Sequence, residues 1–145
     1  MYRSDGTPAT LDEAVSSARE VEAVLLGEEH TDPITHGLQE EFLRRSFVTF
    51  GRATNRPPGA APAGHPTTES SSPSRRPIVL SLEMVERDVQ YVMNEDLSDL
   101  ITEDHFLKSV RPWPRYATDY RGALEFAKAH GLPVVAANAP RRYVE

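Results

Sequence analysis

Ionisable side chains follow directly on an apolar run near the start of the sequence. The stretch "EAVLLGEEHTDP", residues 22–33, passes from AVLL into Glu28, Glu29 and His30 without a spacer. In an extended backbone, side chains two positions apart point to the same face, so Glu28 and His30 would lie side by side. A carboxylate and an imidazole in this arrangement can carry out general acid–base chemistry, with the glutamate orienting the histidine, or they can hold a divalent metal ion.

A second carboxylate closes another apolar run. Glu83 ends "PIVLSLE", residues 77–83, whose continuous apolar start is typical of a strand buried in a parallel sheet. Neighbouring parallel strands place their ends about 5 Å apart, at the sheet edge where open α/β sheets bind ligands. Glu28, His30 and Glu83 are therefore predicted to converge there, as catalytic groups of a hydrolase or as ligands of a divalent metal ion. Two other interpretations need no functional site. Glu28 and His30 could belong to a solvated loop, and Glu83 could be an acid that is stabilised at a helix N-terminus.

The third apolar run also leads into polar residues. "LPVVAAN", residues 132–138, ends in Asn138, and Arg141 and Tyr143 come just beyond it. All three predicted strands therefore end in polar side chains, at the edge where an open α/β sheet binds ligands.

Helical patterns lie between these runs. The first helix is predicted to begin after Asp32, an N-cap, with Pro33 in its first turn, and to run to about Phe50. Three more helices are predicted before the third strand, the first from the spacing of Val85, Val89, Val92 and Met93, and the others from the N-caps Thr102 and Thr118. The connections are long enough for right-handed parallel crossovers. The predicted fold is α/β, a parallel sheet with helices packed on its faces.

A proline-rich segment interrupts the predicted domain, which otherwise spans residues 1–145. Residues 52–77 contain half of the twelve prolines and no Ile, Leu, Val, Phe, Tyr or Trp. Such a segment cannot bury enough apolar surface to offset the entropy lost on ordering. It is therefore predicted to be a disordered, low-complexity insertion.

Composition excludes several classes of function. The formal net charge is −6, and the insertion carries four Arg against one Glu, so the foldable part is still more acidic. A nucleic-acid partner is therefore not expected. The absence of cysteine excludes disulfides and thiolate metal ligands. No apolar run approaches the ~20 residues of a membrane span, and the N-terminus has no signal-peptide h-region, so a cytoplasmic location is the default expectation.

Successive blocks of the sequence resemble the ChaN-like haem-binding family, within the Tiki/ChaN/erythromycin-esterase-like superfamily. They are "VLLGEEHTDPITHGLQ", "SLEMVERDVQ" and "FLKSVRPWPRYATDYRGALEFAKAHGLPVVAANAPRRYV". The resemblance covers about residues 20–145 apart from the insertion. It implies an α/β domain with a ligand site at the strand ends, and a role in haem binding, iron uptake or iron handling.

The resemblance also implies which residues form the site. Gly27, Glu28 and His30 match the first block, and Glu83 matches the acid of the second. The third-strand block implies that the cofactor-binding residues, besides His30, are Asn138, Arg141 and Tyr143. Superfamily relatives instead use the Gly-x-x-His block and a distant Glu for hydrolysis, some of them as metal-dependent peptidases.

Three functions are therefore open, in the order haem binding, metal-dependent hydrolysis and an inactive fragment. The hydrolytic branches carry a second Gly-x-x-His, which this sequence lacks, because none of its other histidines has Gly three residues earlier. Those histidines are interpreted as surface or capping residues: His36, His65, His105 and His130. The sequence stops after its third strand, where the resembled family continues, so a truncated and poorly stable member is expected. The natural ligand and the oligomeric state are not predicted.

Overall fold

Six helices and two short parallel strand pairs make up the described part of the chain. The computed structural model describes residues 1–52 and 75–144. In chain order the elements are α1 Leu11–Ala18, α2 Pro33–Phe50, β1 Gly51–Arg52, β2 Arg76–Pro77, β3 Leu80–Glu86, α3 Gln90–Leu97, α4 Glu103–Val110, α5 Tyr116–Asp119, α6 Arg121–Ala129 and β4 Val134–Asn138. The predicted α/β class is confirmed. No helix among the described residues is long and apolar enough to cross a membrane.

The main sheet consists of β3 and β4, which pair in parallel. Leu80 lies opposite Val134 and Leu82 opposite Ala136, and after a register shift Glu86 lies opposite Asn138. A parallel pair requires a long crossover, which the chain supplies through the helices α3 to α6. The polar ends of both strands therefore lie at the same edge, as the sequence predicted for these two runs.

The hydrophobic core lies between this sheet and the helices. Its most deeply buried side chains come from β3, α3, α4 and α6: Val85, Met93, Phe106, Val110 and Leu124. Burying one such side chain fully contributes roughly 1.5–3 kcal/mol relative to leaving it exposed.

A second, minimal strand pair joins the two described parts of the chain. Gly51 lies opposite Arg76, and Arg52 opposite Pro77, in parallel register. The ends of the predicted insertion at residues 52–77 thus belong to paired backbone. Residues 53–74 lie outside the described residues, and for them the disordered insertion stays a prediction.

The predicted first strand is wrong. Residues 22–28 form no strand, and Leu25 is almost fully exposed. Side chains bind backbone carbonyls along this part of the chain: Arg76 Nη1 donates to Val21 O at 3.1 Å and Gln39 Nε2 to Leu26 O at 3.5 Å. The segment lies on α1 and α2, with which it encloses an apolar groove. Helix α1 was not predicted, although Thr10 and Glu13 form a capping box at its start.

The boundaries of the later elements also differ in part from the predictions. Strand β3 extends to Glu86, three residues beyond the predicted end, so Val85 belongs to the strand and α3 begins only at Gln90. Thr118 is not an N-cap, because it lies inside α5, and α6 begins after Tyr120 without a side-chain cap. The caps Asp32 and Thr102 are confirmed by bonds from backbone N–H groups to their side chains.

Candidate functional site

Glu28 is the centre of a polar cluster in which residues from three parts of the chain meet. Tyr120 Oη donates to Glu28 Oε1 at 2.7 Å, and His30 Nδ1 lies 3.0 Å from the same oxygen. The other oxygen, Oε2, is 3.3 Å from His36 Nδ1. The Glu28 side chain is only 15% exposed. Burial alone would raise the pKa of this carboxyl, but the bonds from Tyr120, His30 and Gln39 outweigh burial and lower its pKa.

His30 is the exposed member of the cluster. Its side chain is 61% exposed, and its ring stands edge-on to Trp113 with the ring centroids 4.5 Å apart. An ionised carboxylate only accepts hydrogen bonds, so a bond between His30 and Glu28 needs the proton on Nδ1. Within residues 1–52 and 75–144, Nε2 of His30 has no hydrogen-bond partner. In a neutral ring with the proton on Nδ1, Nε2 keeps its lone pair. His30 can therefore offer a nitrogen ligand or act as a base.

The loop that carries Trp113 is shaped by two left-handed residues. Arg111 and Arg115 have φ values of 48° and 70°, a region that costs non-glycine residues roughly 1–2 kcal/mol. Together with Pro112 and Pro114 they keep this stretch out of a helix. Trp113 packs against the core and also contacts His30.

His36 is the functional candidate that sequence reasoning missed. It was interpreted as a surface or capping residue, yet its side chain is 2% exposed and lies between Glu28 and Asp119. Its Nε2 bonds to the backbone carbonyl of His30 at 3.3 Å, and its ring packs edge-on against Tyr120 at 4.8 Å. The missed signal was heptad spacing, because the buried face of α2 repeats every seven residues at His36, Leu43 and Phe50.

Asp119 and Arg115 close the cluster on its inner side. Asp119 is buried, with Oδ2 3.0 Å from Arg115 Nε and 3.6 Å from His36 Nε2. Arg115 Nη1 also donates to the carbonyl of Thr31 at 3.1 Å. These contacts connect α5 to the segment that precedes α2, and so they fix the position of the Glu28–His30 pair.

Glu83 does not contact the other two residues of the predicted set. It is exposed on β3, while its charge is one of the influences that raise the pKa of Tyr120, after burial and the bond to Glu28. In the described ranges, no hydrogen bond or ion pair joins Glu83 to Glu28 or His30. Those ranges also contain no group of three or more His, Asp or Glu side chains arranged to hold a metal ion.

The residues beyond β4 are held by carboxylates at the end of β3. Arg141 Nε lies 2.8 Å from Glu86 Oε1, and the Arg141 backbone N–H donates to Glu86 Oε2 at 3.0 Å. Asn138 is half-buried opposite Glu86 in the strand register. Tyr143 is 73% exposed, and its ring is covered by the guanidinium of Arg142 at 4.9 Å. Glu86, buried at the strand end, is a second residue that the sequence did not single out.

An apolar groove of about 440 Å³ adjoins the polar cluster. Its walls are α1, residues 21–27 and the face of α2 that runs from Thr35 to Phe42. Gly27 lines the groove directly before Glu28, and a Cβ placed on it would meet no atom within 4 Å. The fold itself therefore does not require glycine at this position.

Comparison with known proteins gives one match. The model of the family described as "Haem-binding uptake, Tiki superfamily, ChaN" matches residues 14–145. No curated protein and no solved structure matches the chain.

Proposed function

The chain belongs to the family described as "Haem-binding uptake, Tiki superfamily, ChaN". We propose that it binds haem and that His30 is the residue that would bind the iron. The observation that carries the proposal is the contact of 3.0 Å between His30 Nδ1 and Glu28 Oε1. Histidines that bind a metal almost always donate their other ring N–H to a carboxylate, a carbonyl or water. His30 has this partner already, while its Nε2 stays available.

Two apolar features of the chain would cover a large, flat ligand held by His30, although His30 itself does not line the groove. Trp113 offers an aromatic edge beside the imidazole, and the apolar groove begins at Gly27, next to Glu28. A haem site combines an axial nitrogen with apolar cover for the macrocycle. Bound haem would supply the iron, and this chain's own residues would orient the axial imidazole and exclude water from part of the macrocycle. A role in haem or iron uptake and handling is part of the same proposal.

Tyr143 is the competing axial ligand, with Arg141 and Asn138 as its neighbours in the cofactor-binding set. Its exposed phenol supports this alternative. Two contacts make Tyr143 the weaker candidate. The Arg142 guanidinium covers its ring, and Arg141 is already paired with the Glu86 carboxylate. We therefore rank His30 above Tyr143.

Haemin titration of purified protein, followed by the Soret band, tests the proposal. We expect a saturable band with the unchanged chain and with Tyr143→Phe, and loss of that band with His30→Ala. His105→Ala is the matched control, since this histidine is exposed on α4 and its side chain makes no hydrogen bond within residues 1–52 and 75–144. An unchanged band in His30→Ala would contradict the assignment, and loss in Tyr143→Phe alone would transfer it to Tyr143.

Hydrolysis is the second candidate, because the same contact favours it. An imidazole oriented by a glutamate is the arrangement of a general base, and it needs no metal. If the chain hydrolyses esters or peptides, His30→Ala should abolish turnover of a nitrophenyl ester while His105→Ala should not. Turnover that requires an added divalent ion would instead favour the metal-dependent form with Glu28, His30 and Glu83. A chain with neither a Soret band nor turnover would be the inactive fragment.

A further inference from the structure

The cluster around Glu28 contains more side chains than a simple His–Glu pair needs. Three side chains approach one carboxylate: Tyr120 at 2.7 Å, His30 at 3.0 Å and His36 at 3.3 Å. Tyr120 and His36 are both buried. Tyr120 is 92 positions from Glu28 in the sequence, and His36 lies on α2. Their role is therefore more specific than that of a general contribution to the core.

We propose that Tyr120 and His36 are positioning residues: Tyr120 holds Glu28 and His36 holds the backbone of His30, so that His30 keeps its proton on Nδ1 and presents Nε2 as the ligand atom. This inference rests on the proposed haem function for its purpose, but the proton position is a property of the protein without ligand. It gives a role to Tyr120 and His36, which the family resemblance does not.

The geometry supports this role in two steps. Tyr120 donates to the same oxygen that His30 contacts, so it fixes where Oε1 lies relative to the imidazole. His36 lies on the other side: its Nε2 bonds to the carbonyl of His30, while its Nδ1 faces Glu28 Oε2 at 3.3 Å without a hydrogen bond. This buried ring thus holds the backbone of His30 and packs beside the carboxylate that orients the His30 imidazole.

The consequence is a choice between the two neutral forms of His30. Which nitrogen of a neutral histidine carries the proton is set by the hydrogen bond that the ring makes. A ring without a partner prefers the proton on Nε2, which would remove the lone pair from the exposed nitrogen. The Glu28 carboxylate reverses that preference only while it stays in place.

Nitrogen NMR of the histidine rings in the protein without haemin tests the proposal. At a pH where the His30 ring is neutral, we expect the Nδ1–H form to predominate in the unchanged chain. Glu28→Ala should return His30 to the Nε2–H form, and Tyr120→Phe should shift it in the same direction by a smaller amount. Glu29→Ala and Tyr91→Phe are the matched controls, because both residues are exposed and should leave the ring unchanged.

Haemin affinity provides the second measurement. We expect Glu28→Ala to weaken binding by about 10- to 100-fold, as loss of a partner of a metal-binding histidine usually does. A predominant Nε2–H form in the unchanged chain would overturn the proposal whether or not haemin binds. An unaltered ring signal in Tyr120→Phe would overturn the role of Tyr120. Failure of haemin to bind, with the Nδ1–H form present, would instead count against the proposed function.

Discussion

At the scale of single residues, the charge of Glu28 is decided by hydrogen bonds against burial. Burial disfavours the ionised form, but the donors Tyr120, His30 and Gln39 together lower the pKa below the ordinary value of 4.5. A carboxyl with a lowered pKa in the folded state stabilises the fold above its unfolded pKa. That contribution is lost as the pH falls through the folded value.

Glu28→Gln should therefore destabilise the chain in a pH-dependent way. At neutral pH we expect a loss of roughly 1.5–3 kcal/mol in the free energy of unfolding, the usual range for hydrogen bonds to a charged group. The difference from the unchanged chain should shrink as the pH falls below 4.5. Urea unfolding of both proteins at a series of pH values measures this difference in the free energy of unfolding. A difference that does not change with pH would contradict the lowered pKa of Glu28.

His36 illustrates how strongly one buried polar ring can matter. It contacts Glu28 and Asp119 through its two nitrogens and packs on the ring of Tyr120. Removing this ring takes away its bond to the carbonyl of His30 and its packing on Tyr120. A polar group that stays desolvated after its partner is removed typically costs about 1–3 kcal/mol.

His36→Ala is expected to cost roughly 1–3 kcal/mol of the free energy of unfolding. His105→Ala, at an exposed position on α4, should change it by no more than about 0.5 kcal/mol. Thermal or urea unfolding of the two variants compares them directly. Similar small changes in the free energy of unfolding for both variants would mean that burial of His36 does not contribute to stability.

At the scale of elements, α3 and α6 are joined by a buried ion pair. Asp96 on α3 is buried, and Lys128 Nζ on α6 lies 3.5 Å from it and 2.9 Å from Asp99. Burial raises the pKa of Asp96, and the charge of Lys128 partly offsets that rise. The cation therefore allows a carboxylate to stay ionised inside the helix packing.

Lys128→Met should destabilise the chain most at neutral and higher pH. Without the cation the pKa of Asp96 rises further, so its ionised form costs more in the folded state, and stability is lost as the pH rises through that pKa. We expect the free energy of unfolding to fall by about 1–3 kcal/mol at neutral pH, and the loss to become smaller at acidic pH. Lys108→Met is the control, since its pair with Asp104 is exposed and contributes about 0–1 kcal/mol. Equal losses for both variants would contradict the argument.

The junction of β3 and α3 shows where a local pattern misleads. Val85, Val89, Val92 and Met93 have helical spacing, and all four are buried, so the pattern identified the core correctly. Val85 is nevertheless in the strand, because pairing of Glu86 with Asn138 extends β3 past the predicted end. Pairing with a strand more than fifty residues away outweighs the preference of a few residues for a helix.

At the scale of the whole molecule, the short pair of β1 and β2 brings residues 52 and 76 close together. Arg75 Nη1 also donates to the carbonyl of Gly51 at 2.9 Å. Because β1 and β2 run parallel, a linker that replaces the chain between them must return from the end of β1 to the start of β2, which takes about a dozen residues. The composition of residues 53–74 predicts that they contribute no apolar core.

Replacing residues 53–74 by about twelve Gly and Ser residues is therefore expected to leave the Tm nearly unchanged. A wider deletion of residues 52–77 should lower the Tm, since it also removes the β1–β2 pair. Differential scanning calorimetry compares the two deletions. A large drop in Tm when only residues 53–74 are replaced would show that this segment contributes to the stability of the fold.

The sequence by itself determined those features that depend on neighbours along the chain. Helix α2 follows from its Asp32 cap and Pro33, and β3 and β4 follow from continuous apolar runs. The approach of His30 to Glu28 also follows from close spacing, although the segment is not a strand. Local signals of this kind act within a few residues, so they can be recognised without knowing how the elements pack.

Only the tertiary structure decided which residues surround Glu28. Tyr120 is 92 positions away in the sequence, and its bond to Glu28 exists because α2, α5 and α6 pack together. The same packing buries His36 and Asp119 and draws residues 22–28 onto α1 and α2 instead of the sheet. The physical reason is that burial and long-range hydrogen bonds depend on how the helices and strands are arranged in space, which no local window of the sequence contains.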